Sequence, residues 1–196
     1  MTELPGRSRL GDLPYDEWDF EALADIAPGM KPPDLSVVAF FAHHPELAAR
    51  WLPWNRFINS KACELDRRTR EIVIVRVAVR KRSRYEWMQH AKAARAAGLT
   101  EEEIDAISSG TATGLAGLLS RAVDEVTDDC ALHDETYDEL ARHFDERQLI
   151  SLAFLIGTYC LLSAVFGAFR MELDPGLHPE AFDKYLPSDE TPKKGT

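Results

Sequence analysis

The chain has 196 residues, of which 45% are hydrophobic, and it carries a formal net charge of −10. This length and apolar content suffice for one substantial buried core, so we expect a single main domain. The acidity argues against binding to nucleic acid or to an anionic membrane surface, because both carry negative charge. We therefore expect neither nucleic acid nor a membrane among the partners.

The cysteines and the apolar segments indicate in which cellular compartment the protein is expected. Cys63, Cys130 and Cys160 are far apart in the sequence and form no Cys-x-x-Cys pair, which favours a reducing environment over a disulfide framework. The first residues lack the apolar core of a signal peptide. The apolar stretch 149–169 approaches the length of a membrane span, but small and polar residues interrupt it, and we expect a buried core helix. A cytoplasmic protein is the resulting prediction.

The composition divides the chain into three parts. Residues 1–33 are rich in proline, glycine and acidic side chains, which predicts an irregular N-terminal arm lying over the domain or a neighbouring subunit. Residues 34–186 carry periodic apolar patterns and form the predicted domain. Residues 187–196 contain no apolar pattern and predict a flexible tail.

Helix start signals recur along the predicted domain. Residues suited to N-caps precede successive helical patterns, and these are Asp34, Asp66, Ser83, Thr100 and Asp145. Ser83 with Glu86, and Thr100 with Glu103, have the spacing of a capping box. Most of the chain is therefore predicted to be helical.

The segment Glu71–Val79, EIVIVRVAV, is ambiguous. It is rich in β-branched residues and alternates in places, which is typical of a strand. No partner strand is evident elsewhere, and helix caps flank the segment, so the residues favour a helix by a small margin. We expect an all-α fold.

The stretch Ser83–His90, SRYEWMQH, places a hydroxyl, a carboxylate and an imidazole close together. Glu86 and His90 are four residues apart and therefore share a helix face. Two interpretations remain open from these residues alone. The stretch is either a helix start with a polar face, or one half of an acid–base site with Glu71 as its third member.

The wider spacing favours the second interpretation. Glu71, Ser83, Glu86 and His90 resemble the signature of the carboxymuconolactone decarboxylase superfamily, which includes alkyl hydroperoxidase D (AhpD). In the hydroperoxidase branch the same spacing joins a Glu to Cys-x-x-Cys-x-x-x-His. Glu71 and His90 match the Glu and His of that signature, whereas Ser83 and Glu86 occupy the positions of its cysteines.

The resemblance is strongest over residues 46–110, and residues 135–176 are similar to the C-terminal part of longer members. It implies an AhpD-like helical domain, with EIVIVRVAV as a helix. It also implies self-association into a homo-oligomer, either a trimer or a hexamer.

The missing cysteines change the chemistry that the resemblance implies. Hydroperoxide reduction needs one thiolate that attacks and a second thiol that resolves. Without them, the resemblance implies a cofactor-free, lyase-type acid–base enzyme acting on a small carboxylate or lactone. Its expected catalytic residues are Glu71, Glu86 and His90. The expected substrate-binding residues lie near this motif, with an arginine holding a carboxylate, and they are Arg67, Arg70, Tyr85, Trp54 and Ser83.

Other interpretations remain open. The protein is alternatively a peroxidase that uses a thiol outside the motif, or a non-catalytic oligomeric scaffold or binding protein. A metal ion on the motif is less favoured, because the spacing matches no standard metal site, and we predict none. Trp51, Trp54 and Asn55 either pack in the core or line a pocket over His90. Tyr159 and Thr158 need hydrogen-bond partners, and they either face the same pocket or bond to each other.

Overall fold

The computed structural model describes residues 8–23, 36–174, 176–177 and 180–186, and the account below is confined to them. In these ranges the chain is helical and contains no strand, which confirms the all-α prediction. The helices are α1 (Phe20–Leu23), α2 (Ser36–Ala42), α3 (Pro45–Ile58), α4 (Arg67–Arg80), α5 (Arg84–Ala96), α6 (Glu101–Ser109), α7 (Gly114–Asp129), α8 (Asp134–Leu140), α9 (Glu146–Phe169) and α10 (Glu180–Asp183). Short 3-10 helices occur at Tyr15–Glu17 and Lys61–Cys63.

Helix α4 lies at the centre of the domain, where it packs against α5, α6, α7 and α9. Every residue from Thr69 to Ala78 is buried. A helix enclosed on all sides has no solvent face, so its sequence loses the usual 3.6-residue alternation of apolar and polar positions. This enclosure explains why EIVIVRVAV looks like a strand in the sequence although it is a helix.

Three of the predicted N-caps are confirmed. Asp66, Thr100 and Asp145 each accept a hydrogen bond from the backbone N–H of the third residue after them, over 2.9–3.3 Å. Thr100 and Asp145 also belong to complete capping boxes. The predicted cap at Asp34 lies outside the described residues.

The predicted capping box at the start of α5 is wrong. The Ser83 side chain makes no capping hydrogen bond. A capping box would need the backbone N–H of Ser83 to donate to the Glu86 carboxylate, but this N–H already donates to the Ala78 carbonyl at 2.8 Å. Glu86 is instead buried inside the domain. Its carboxylate is therefore available for a different role.

Helix α9 is long and apolar enough to cross a membrane, judged by length and composition alone. In the structure, half of its most apolar stretch is buried, through packing on α3, α4 and α7. Its other face leaves Ile150, Phe154 and Leu161 exposed. The expected burial of this helix in the core is thus observed for one side of α9 only.

The described part of the N-terminal arm lies against the domain. The backbone N–H of Arg9 donates to the carbonyl of Phe169 at 3.0 Å. Leu23 joins a small apolar cluster with residues of α2 and α3. Residues 1–7 and 24–35, and the predicted tail 187–196, are outside the described residues.

Candidate active site

The packing of α4 against α5 brings the three expected catalytic residues together. Glu71 lies on α4, and Glu86 and His90 lie one turn apart on α5. The Glu71 Oε2 atom is 2.8 Å from Nδ1 of His90, which is hydrogen-bonding distance. The Glu86 Oε2 atom is 3.5 Å from Nε2 of the same ring, which is too long for a good hydrogen bond. One side of the imidazole is therefore fixed and the other remains open.

All three side chains are largely withdrawn from water. Only 9% of the Glu71 side chain, 4% of Glu86 and 17% of His90 are exposed. Burial penalises a charged carboxylate, and it raises the pKa of Glu86 to about 7, although the nearby charge of His90 acts in the opposite direction. Glu86 can therefore give or take a proton near neutral pH.

The pKa of His90 is also raised. Burial alone would lower it, but the hydrogen bond and charge of Glu71, together with the charge of Glu86, outweigh that effect. The imidazole is consequently stabilised in its protonated form. A protonated imidazole beside a carboxyl group that titrates near neutrality is an arrangement suited to acid–base catalysis.

A cavity of about 240 Å³ opens beside this group. Most of its lining residues are apolar or aromatic, and the polar ones are Asn55, Glu86, Gln89 and His90. The lining residues are Val37, Phe41, Trp51, Leu52, Asn55, Tyr85, Glu86, Gln89, His90, Tyr159, Leu162 and Phe166. The cavity is smaller than the roughly 300–1,000 Å³ typical of sites for drug-sized ligands, so it suits a small molecule.

The aromatic ring of Tyr159 supports the imidazole from α9. It meets the His90 ring edge-to-face, with centroids 4.9 Å apart. Its hydroxyl donates to Asn59 Oδ1 at 2.9 Å, and Asn59 Nδ2 donates in turn to Asn55 Oδ1 at 3.0 Å. Burial raises the pKa of Tyr159 well above its usual value, so the phenol stays neutral and keeps its proton. These hydrogen bonds connect Tyr159, which packs against His90, to Asn55 in the cavity wall.

A second polar connection was not predicted from the sequence. Gln89 Nε2 donates to Asp174, and the other Asp174 oxygen accepts from the backbone N–H of Ser36 at 2.7 Å. Asp174 thereby ties α5 to the start of α2, whose Val37 walls the cavity. The four-residue spacing of Tyr85 and Gln89 parallels that of Glu86 and His90, and this could have indicated Gln89. Nothing local in the sequence indicates Asp174.

The expected substrate-binding residues are placed unevenly. Tyr85 lines the cavity, and so do Trp51 and Asn55, which were predicted as possible lining residues. Trp54 does not line it, since its indole donates to Thr158 Oγ1 at 3.0 Å and faces a separate groove. Ser83 is buried at the helix start outside the lining set.

The two arginines expected to hold a carboxylate do not reach the cavity. Arg70 is buried, and its guanidinium donates to the Ser60 carbonyl at 3.1 Å and to that of Leu65. Arg67 is exposed at the start of α4. Among the described residues that line the cavity, His90 alone can carry a positive charge.

The cysteines lie away from the cavity lining. Cys63 is buried with its Sγ 3.1 Å from the Ser60 carbonyl, and Cys130 is exposed at the end of α7. Burial raises the pKa of the Cys160 thiol, which disfavours the reactive thiolate. The described residues also contain no group of three or more His, Cys, Asp or Glu arranged to hold a metal ion.

Comparison with known proteins supports the sequence resemblance. Residues 45–129 match the model of the carboxymuconolactone decarboxylase family. This segment contains Glu71, Glu86 and His90, and the predicted resemblance to the superfamily is confirmed. No curated protein matches the sequence.

A solved structure shows the same fold. ATU0492 from Agrobacterium tumefaciens, a protein of unknown function described as a candidate AhpD antioxidant defence protein, superimposes with a TM-score of 0.62. The two sequences are 18% identical, and the match covers 68% of this chain and 94% of the other. The fold of this chain is therefore AhpD-like, and at this identity the comparison extends to the fold alone.

Proposed function

We propose that this protein is a cofactor-free acid–base enzyme of the lyase type that acts on a small lactone or carboxylate. The observation that carries the proposal is the His90 imidazole, hydrogen-bonded to buried Glu71 on one side and open to Glu86 and a cavity on the other. A structural role would favour a closed network, whereas this one leaves a proton-exchanging face toward the cavity.

The two groups on the cavity side divide the proton transfer between them. Near neutral pH the ionised fraction of Glu86 removes a proton from the carbon next to the substrate carbonyl. The His90 imidazolium donates its Nε2 proton to the carbonyl oxygen, which gives a neutral enol. With a carboxylated substrate no proton is removed first: the C–C bond to the carboxylate breaks, carbon dioxide leaves, and the protonated fraction of Glu86 adds its proton to the carbon that retains the electron pair. Glu71 keeps the ring oriented throughout.

The peroxidase alternative has less support. It requires a thiolate near the substrate, and none of the cysteines lines the cavity beside His90. The positions of the motif cysteines are occupied by Ser83 and Glu86. A thiol-dependent reaction would therefore need a site other than the one that the motif builds.

Deuterium exchange tests the proposed function directly. Small lactones and lactone carboxylates are incubated with the protein in D₂O, and proton NMR follows deuterium uptake at the carbon next to the carbonyl and loss of carbon dioxide. We expect His90→Gln to slow exchange by about 10²–10⁴-fold with an unchanged melting temperature. His143→Gln, at an exposed histidine, serves as the control and should exchange like the wild type. Equal rates in His90→Gln and wild type would reject the proposal.

We further propose that copies of this chain associate through the exposed face of α9, as a trimer or hexamer. No charged residue occurs from Leu149 to Phe169, so a second copy offers a matching apolar surface. Phe154 and Leu161 line a groove of about 500 Å³ with Trp54 on this face.

Size-exclusion chromatography with light-scattering detection measures the mass of the assembly and tests the association. Phe154→Glu should reduce the measured mass, whereas Tyr137→Glu, at an exposed aromatic residue on α8, should leave it unchanged. A monomeric wild type would reject the interface. Co-sedimentation with lipid vesicles would assign the face to a membrane instead.

A further inference from the structure

The electrostatics of the cavity disfavour an anionic ligand. Glu86 and His90 face it directly, Glu71 is hydrogen-bonded to His90, and Asp174 lies behind Gln89. Within the described lining, no lysine or arginine offsets these carboxylates. A substrate carboxylate would have His90 as its one cationic partner, and Glu71 already shares that charge.

The cavity lining instead offers a neutral hydrogen-bond donor, the amide of Asn55. Asn59 is oriented by the Tyr159 hydroxyl, and its Nδ2 donates to Asn55 Oδ1. This hydrogen bond fixes the Asn55 amide with its oxygen toward Asn59, so its Nδ2 group is left to donate elsewhere. No described residue accepts a hydrogen bond from Asn55 Nδ2, and Asn55 lines the cavity.

We propose that Asn55 binds the carbonyl oxygen of an uncharged substrate, so that the cavity selects a neutral lactone over the corresponding carboxylate. This inference rests on the acid–base function proposed above and narrows its substrate class. The apolar wall from Val37, Phe41, Leu162 and Phe166 contacts the hydrocarbon part of such a molecule. An uncharged ligand adds no negative charge beside the buried carboxylates. The repulsion that it avoids is strongest where water is excluded.

A matched ligand pair tests the selection without requiring turnover. Phthalide is a neutral lactone, and 2-(hydroxymethyl)benzoate is its ring-opened anion with the same carbon skeleton. Binding is measured by titration of the His90 ring resonances in NMR spectra at pH 7. We expect phthalide to bind roughly tenfold more tightly or better. Equal affinity, tighter binding of the anion, or no binding of phthalide at millimolar concentration would overturn the inference.

Variants of Asn55 assign the selection to its amide. Asn55→Asp keeps the oxygen that accepts from Asn59 but replaces the donor, and it should weaken phthalide binding by roughly tenfold. Arg50→Gln also lowers the net charge by one on exposed α3 surface, and it should bind like the wild type. Asn55→Ala provides the same test if Asn55→Asp does not fold. Unchanged affinity in a folded Asn55 variant would exclude this role.

The two proposals fail in different ways. If phthalide binds selectively but no substrate exchanges deuterium, then the acid–base function is rejected and the ligand preference remains. If exchange occurs and depends on His90, but lactone and anion bind alike, then the acid–base function remains and the role of Asn55 is rejected.

Discussion

Helix α4 carries buried ionisable residues at two places, and they differ in how completely they are paired. Toward its start, Glu71 pairs with His90, whose other nitrogen is 3.5 Å from Glu86 and next to a cavity. Toward its end, Arg76 donates from Nε and Nη2 to the two oxygens of Asp124, at 2.8 and 2.6 Å. The first group is open and the second is closed.

The closed network has no capacity left for chemistry. Besides Asp124, the Arg76 guanidinium donates to the carbonyls of Ile107 and Ser108 at 3.1 and 3.2 Å. A guanidinium satisfied on several sides stabilises the packing of α4 on α6 and α7 but cannot exchange a proton near neutral pH. The comparison indicates that incomplete pairing beside a cavity, rather than burial of charge alone, distinguishes the candidate active site.

Glu71→Gln should have the largest effect on activity. It removes the hydrogen-bonding carboxylate and the negative charge that raise the pKa of His90, so burial is less fully offset and this pKa should fall. We expect deuterium exchange to slow by about 10²–10⁴-fold. The pKa change is measured from the His90 ring resonance during an NMR pH titration. Glu64→Gln, which breaks an exposed ion pair with Arg147, is the control and should alter neither quantity. A His90 pKa that stays at the wild-type value would contradict this account.

Asp124→Ala should have the largest effect on stability. Leaving Arg76 buried without its carboxylate costs about 3–5 kcal/mol in a fully buried pair. Asp124 is 33% exposed and Arg76 keeps its carbonyl partners, so we expect a loss of roughly 2–4 kcal/mol in chemical denaturation. Asp128→Ala breaks the more exposed pair with Arg80 and should cost about 1 kcal/mol or less. Folded Asp124→Ala should exchange deuterium normally. A loss of exchange there would mean that the two networks are coupled.

Glu86→Gln should change how stability depends on pH. The ordinary pKa of this carboxyl is 4.5 and its folded pKa is about 7. Between these values the folded chain keeps a proton that the unfolded chain has released, so the unfolding free energy falls as pH rises. Over this window the wild type should lose about 3 kcal/mol more than Glu86→Gln. The variants are compared by denaturation at pH 4.5 and pH 8. An equal change in both proteins would show that folding does not raise the pKa of Glu86.

Much of the fold was predictable because it depends on local signals. The N-caps at Asp66, Thr100 and Asp145 need only a side chain and the first helical turn, and all three are observed. The secondary structure of EIVIVRVAV was harder to predict, because complete burial removes the periodicity that distinguishes a helix from a strand. In that case the family resemblance, rather than the local pattern, led to the helix.

The candidate site was predictable only where its members lie within the motif. The spacing of Glu71, Glu86 and His90 led to the prediction that they meet, and the structure brings them together. The contacts of Asp174 and the hydrogen bond from Tyr159 to Asn59 depend on packing between distant segments, and sequence spacing carries no such information. Arg70 shows the opposite error: it lies one residue before Glu71, yet its side chain turns toward the carbonyls of Ser60 and Leu65.

The smallest predicted effect separates the two helix starts that have the same sequence pattern. Thr100 caps α6 through its side chain, so Thr100→Ala should lower stability by about 1 kcal/mol. Ser83 has the same pattern but makes no capping hydrogen bond, because its backbone N–H is bonded to Ala78 and Glu86 faces the interior. Ser83→Ala should therefore change the free energy of unfolding by less than about 0.5 kcal/mol. Urea denaturation of both variants measures the difference. An equal loss in both would mean that Ser83 caps α5 in solution, and Glu86 would then turn back toward the helix start and away from His90.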